Sequence, residues 1–110
     1  MVKLKSIYYI TTDDVETLIG THWSNCKFAE TANNDSYAPL DCSDESLEEL
    51  YEDIAWEAGK RSIRVEDLPE DPNTAFGNCY LTRLMNQAKL VEALRKWCGV
   101  RYEILIWICW

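Results

Sequence analysis

The chain is poor in the residues that usually announce a chemistry. It has one histidine, His22, three prolines and only four glycines, Gly20, Gly59, Gly77 and Gly99. That leaves no glycine-rich loop to cradle a phosphate and no nucleophile elbow. Its five cysteines, Cys26, Cys42, Cys79, Cys98 and Cys109, are odd in number and contain no C-x-x-C pair, so they do not read as a disulfide framework. They are expected to be small apolar filler in a reducing compartment. A zinc site on His22 and Cys26 would need Cys42 and Cys79 from far along the chain, so neither a metal nor a cofactor is expected. The first twenty residues lack an uninterrupted apolar stretch with a small-residue cleavage site, and no run approaches the length of a membrane span. A soluble, cytoplasmic protein with no membrane partner is the expectation.

What the chain does have is bulk and negative charge. Its 110 residues are 47% apolar and include five tryptophans and six tyrosines, enough for one core and a single domain over 1–110. The net charge is −8, and it is not spread evenly. From Asp41 to Asp71 twelve acids face three bases, a balance of −9, whereas the rest of the chain carries seven acids and eight bases. Such a protein is repelled by DNA and RNA, and its remaining bases, among them Lys89, Arg95 and Lys96, are few and offset by Glu92. Direct nucleic-acid binding is therefore not expected, while a basic protein partner is.

The local patterns outline an α+β fold. Leu4 to Thr11 alternates and is rich in β-branched and aromatic residues, which predicts a strand. Asp13 with Glu16 three residues on, and Gly20 as a stop, predicts a short helix. A second strand is expected from His22 to Ala29, followed by turn chemistry in TANNDSYAP. Ser43 caps an acidic helix that should end at Gly59 before Lys60 and Arg61. RSIRV then reads as a short strand, and EDLPEDPNT as an acidic loop held open by Pro69 and Pro72. The longest helix is expected in YLTRLMNQAKLVEALRKWCG, although its beginning, NCYLTRL, also suits a strand. The final VRYEILIWICW is apolar on both faces, which suits either a strand at the centre of a sheet covered on both sides or one in a sheet covered on one side and joined to a partner. Without repeats or linkers, these elements combine into one α+β domain: a four- to five-stranded sheet, antiparallel or mixed, with two main helices and one short helix. If the helices leave Trp107 and Trp110 uncovered, they form an association patch, and a homodimer stays open.

The acidic helix carries the functional reading. On a helical wheel Leu47, Leu50, Tyr51, Ile54 and Ala58 share one stripe, the expected core face. Glu45, Glu48, Glu49, Glu52 and Asp53 lie opposite, with Trp56 in their midst at about 180° from Leu47. Three readings follow. The face is a solvated surface, with Trp56 covered by the following loop or by Phe76; or the acids ring an aromatic anchor for a basic partner; or the face imitates a nucleic acid. For the last, seven acids from Asp44 to Glu57 are spaced about 3 Å apart along about 21 Å of helix. One strand of DNA carries a charge every 3.4 Å or so of axis, about the same density.

Small acidic proteins are a common kind of inhibitor for nucleases, restriction enzymes and CRISPR effectors, which are basic where they hold nucleic acid. The residues themselves resemble no particular anti-CRISPR, anti-restriction or nuclease-inhibitor family. The sequence thus points to a non-enzymatic interaction protein of phage anti-defence type. Its expected partner-binding residues are Asp44, Glu45, Glu48, Glu49, Glu52, Asp53, Trp56, Glu66, Asp67, Glu70 and Asp71. One alternative is an immunity-type inhibitor of a basic nuclease toxin. The other is a small enzyme using His22 with Cys26 or a carboxylate.

Overall fold

A computed structural model describes residues 7–31, 37–98 and 105–109, and the described chain is mostly helical. This corrects the expected four- to five-stranded sheet with two main helices. Among the described residues there are three five-residue strands, β1 (Ile7–Thr11), β2 (Tyr37–Asp41) and β3 (Leu105–Cys109). Four α-helices accompany them: α1 (Thr12–Ile19), α2 (Asp44–Lys60), α3 (Pro72–Phe76) and α4 (Tyr80–Cys98). The sheet order is β1-β3-β2, with β1 parallel and β2 antiparallel to the central strand. Trp107 lies in that central strand, its Cα in register with Tyr9 on one side and Pro39 on the other. Its side chain and the whole of Trp110 lie outside the described residues, as does the start of the strand expected from Leu4.

Two expected strands are absent among the described residues; in the first, side chains rather than a neighbouring strand take up backbone groups, and in the second the N–H groups of Arg61, Ser62 and Ile63 turn back onto the end of α2. Between His22 and Ala29 the chain makes turns at Trp23–Asn25 and Lys27–Thr31. The Trp23 N–H donates to the Glu16 carboxylate at 3.2 Å, the Phe28 N–H to Gln87 at 2.6 Å, and Asn86 donates to the Asn25 carbonyl at 2.8 Å. RSIRV likewise forms no strand, and a 3-10 turn follows at Val65–Asp67. The supposed open loop also contains α3, with Pro72 in its first turn and Asp71 as its cap. Conversely β2 runs through the end of the expected turn, with Pro39 on an edge strand, where proline is tolerated.

The helix ends show which local signals decide. α1 starts at Thr11, whose hydroxyl accepts from the Asp14 N–H at 3.2 Å while the Asp14 carboxylate accepts from the Thr11 N–H at 3.0 Å. This reciprocal box displaces the expected Asp13 cap by two residues and frees Glu16 for Trp23. α2 starts where expected, with the Ser43 hydroxyl accepting from the Ser46 N–H at 3.2 Å. Its end differs. Gly59 stays helical, and the left-handed position falls on Ser62 at φ 60°. The Ser62 N–H donates to Gly59 and the Ile63 N–H to Ala58, both at 2.9 Å, the pairing in which glycine is the usual left-handed residue. Ser62→Gly should therefore stabilise the fold by about 0.5–1 kcal/mol, read as a higher melting temperature. An unchanged or lower one would contradict the strain.

α4 is the central element. Leu81, Leu84, Leu90, Val91 and Leu94 are at most 1% exposed, and α1, α2 and α3 all pack on this helix. Because it is surrounded, its buried positions include polar residues that the apolar periodicity does not mark. Asn86, 2% exposed, exchanges hydrogen bonds with Asn73 of α3, and Thr82 donates to the Pro72 carbonyl. Lys89 donates to the Ile19 carbonyl at the end of α1, where the helix dipole favours a cation. One cluster of buried residues gathers Ile10, Val15, Ile19, Cys26, Phe28, Leu40, Cys42, Leu50 and Ile54 around the α4 residues.

Candidate functional site: the acidic face of α2

α2 buries one side against α4 through Leu50, Ile54 and Ala58. Tyr51, expected in that stripe, is 45% exposed at its edge and donates its hydroxyl to Glu92 of α4. Burial, the Glu92 hydrogen bond and the Glu92 charge together push the Tyr51 hydroxyl up to about 12. The opposite side of α2 is largely open to solvent. Glu45, Glu48, Glu49 and Glu52 are exposed, Asp53 is half-buried, and none of the five has an ion pair or hydrogen bond among the described residues. Trp56 stands among them at 69% exposure.

The reading in which the following loop or Phe76 covers Trp56 is thereby overturned. Phe76 instead lies under Arg61, whose guanidinium carbon is 5.4 Å from the ring centroid, a cation–π contact at the C-terminal end of α2. Trp56 lines an open hollow with Ala55, Gly59 and Lys60. An indole left so open among carboxylates is uncommon for a residue whose large apolar area usually finds cover.

Of the remaining acids expected at the site, Asp44, Glu66, Asp67 and Asp71 are engaged within the chain and Glu70 has no partner among the described residues. Asp44 pairs with Arg95, which also donates to the Cys42 carbonyl at 2.6 Å and so ties the start of α2 to α4. Glu57 pairs with Lys60 at 3.2 Å, and Glu66 and Asp67 both face Arg64, at 4.0 and 3.0 Å. Asp71 accepts from the Thr74 hydroxyl at 2.8 Å and from Asn73, and these bonds hold its carboxyl below the usual range. Glu70 is exposed. The acidic segment thus resolves into an uncommitted face on α2 and a stretch after it whose charges largely serve local structure.

Sequence reasoning missed one neighbour of this face. A groove of about 250 Å³ runs between α2, β2 and the Lys27–Thr31 turn, lined by Glu49, Leu50 and Asp53 on one side and by Pro39, Leu40 and Asp41 on another. Burial disfavours the charge of Asp41, but the Ser43 N–H and the Ser46 and Ser43 hydroxyls outweigh it, and its carboxyl titrates below the ordinary value. Reading YAPLD as an edge strand, on which proline is tolerated, was the signal that could have placed it.

His22 and Cys26, the pair of the enzymatic alternative, stand in different surroundings, the histidine exposed and the cysteine buried. Cys26 is fully buried, and burial pushes its thiol up to about 12, far from forming a thiolate at neutral pH. His22 does meet a carboxylate: Nε2 lies 3.7 Å from Glu16, while Nδ1 accepts from the Ser24 N–H at 3.2 Å. That contact caps the 3-10 turn at Trp23–Asn25. Among the described residues no group of His, Cys, Asp or Glu side chains could hold a metal ion, and no helix is long and apolar enough to cross a membrane. No protein-family model, no curated protein and no solved structure matches this chain, so its function has to be read from the α2 face itself.

Proposed function

We propose that the protein is a small cytoplasmic inhibitor, without enzymatic activity, whose α2 face occupies a basic nucleic-acid-binding surface on its target. The observation that carries this reading is Trp56, 69% exposed among Glu45, Glu48, Glu49 and Glu52, none of which is paired within the described chain. Carboxylates at this density attract a surface built for phosphates and raise the association rate, while a central indole supplies the anchoring energy. The targets that fit are defence nucleases, restriction enzymes and CRISPR effectors. A nuclease toxin neutralised by an immunity protein would present the same basic surface.

Affinity capture from host lysate tests this. The captured protein should be basic and should bind nucleic acid, and DNA should compete with the inhibitor for it. Trp56→Ala should weaken the purified pair by about thirtyfold, the equivalent of about 2 kcal/mol at an interface hot spot. Its melting temperature should barely move, because the indole packs on little. A captured target without nucleic-acid affinity, or equal binding by the alanine variant, would refute the reading.

A further inference from the structure

We infer that the groove between α2, β2 and the Lys27–Thr31 turn receives an arginine side chain of the protein's partner. This deepens the proposed function and rests on it in taking the partner to be basic. The size of the groove limits what can enter. At about 250 Å³ it falls below the 300–1,000 Å³ or so of pockets for drug-sized molecules. One long side chain is its natural occupant.

The lining selects which side chain. The floor is apolar, made by Phe28, Leu40 and Leu50, all buried. The rim carries four carboxylates, Glu30, Asp41, Glu49 and Asp53, against the single ammonium of Lys27. Two of the four are committed: Glu30 to Arg83 at 3.4 Å, and Asp41 to the Ser43 N–H at 2.9 Å. Glu49 and Asp53 have no partner among the described residues. They stand four residues apart on α2, one helical turn, so both reach over the same wall of the groove.

An apolar floor beneath two uncommitted carboxylates complements a side chain with an aliphatic stem and a cationic head. Arginine fits better than lysine. Its planar fork can donate to both carboxylates at once, and it gives up its hydration more readily than an ammonium does. Glu49 and Asp53 also belong to the exposed face that surrounds Trp56, at about 20° and 60° around the helix from the indole. A partner resting on Trp56 therefore has the groove within reach of the same surface.

The test needs no partner. Nitrogen-15-labelled protein is titrated, with NMR detection, against N-acetyl-arginine amide, N-acetyl-lysine amide and the uncharged N-acetyl-citrulline amide. Arginine amide should give saturable shifts at the Phe28 and Leu40 amides and the Gln87 side-chain amide; lysine amide should bind more weakly, and citrulline amide should have no effect. Asp53→Asn and Glu49→Gln should each raise the arginine Kd by about tenfold, the loss of one charged hydrogen bond. Shifts that fail to saturate, that spread over the whole acidic surface, or that ignore both variants would overturn the groove. An equal response to lysine would overturn the choice of arginine. A groove that binds arginine amide in a protein that captures no target would sink the proposed function alone, whereas a genuine target with a silent groove would sink only this inference.

Discussion

Reversing Glu45, Glu48 and Glu52 to lysine together should weaken binding to the target by about a thousandfold or more. All three are exposed and have no partner among the described residues, so the substitution changes the sign of the face without removing a described contact. Like charges brought together across an interface cost several kcal/mol, and each 1.4 kcal/mol or so is a factor of ten. The fold should tolerate the change. Glu45 loses a favourable place in the first turn of α2, worth about 0.3–1 kcal/mol, while the Glu48/Glu52 repulsion is merely exchanged for a lysine pair. Wild-type binding should also weaken steeply with salt, because the Debye length shrinks from about 10 Å at 0.1 M to about 3 Å at 1 M. Titration calorimetry at both ionic strengths reads both effects. A triple variant that keeps its fold and binds within about threefold of the wild type would eliminate the acidic face as the docking surface.

Leu84→Ala should have the opposite profile, destabilising the fold by about 2–5 kcal/mol while leaving the binding surface untouched. Leu84 is fully buried in the one helix that α1, α2 and α3 all pack against, so the cavity it leaves has walls on several sides that cannot all move in. Against a total stability of about 5–15 kcal/mol this is a large fraction. Urea denaturation should show a lower midpoint with an unchanged slope. A loss below about 1 kcal/mol would mean that α4 is not the centre of the core. The two variants together separate the layer that holds the protein up from the face through which it acts.

Elements set by strong local signals are legible in the order of residues alone. Ser43 with its following acids places the start of α2, and the apolar period places α4, because a side-chain cap and an amphipathic stripe act within a turn or two of chain. Two of the errors fall where a segment's polar groups are satisfied from a distance. His22 to Ala29 has the composition of a strand, but Gln87 and Asn86 of α4 take up its backbone groups and curl it into turns. Tyr51 belongs to the apolar stripe by position, yet Glu92 draws its hydroxyl outward. None of these partners lies within 40 residues along the chain.

The site divides in the same way. That the negative charge is concentrated between Asp41 and Asp71, and that Trp56 lies on the acidic side of its helix, follows from residue order and the 3.6-residue period alone. Which acids are uncommitted, whether Phe76 covers the indole, and that β2 and the Lys27–Thr31 turn line a groove beside Glu49 and Asp53 were decided only by the tertiary structure. The reason is physical. A helix's own geometry determines which way its side chains point, but solvent exposure and charge pairing depend on what the rest of the chain brings against it.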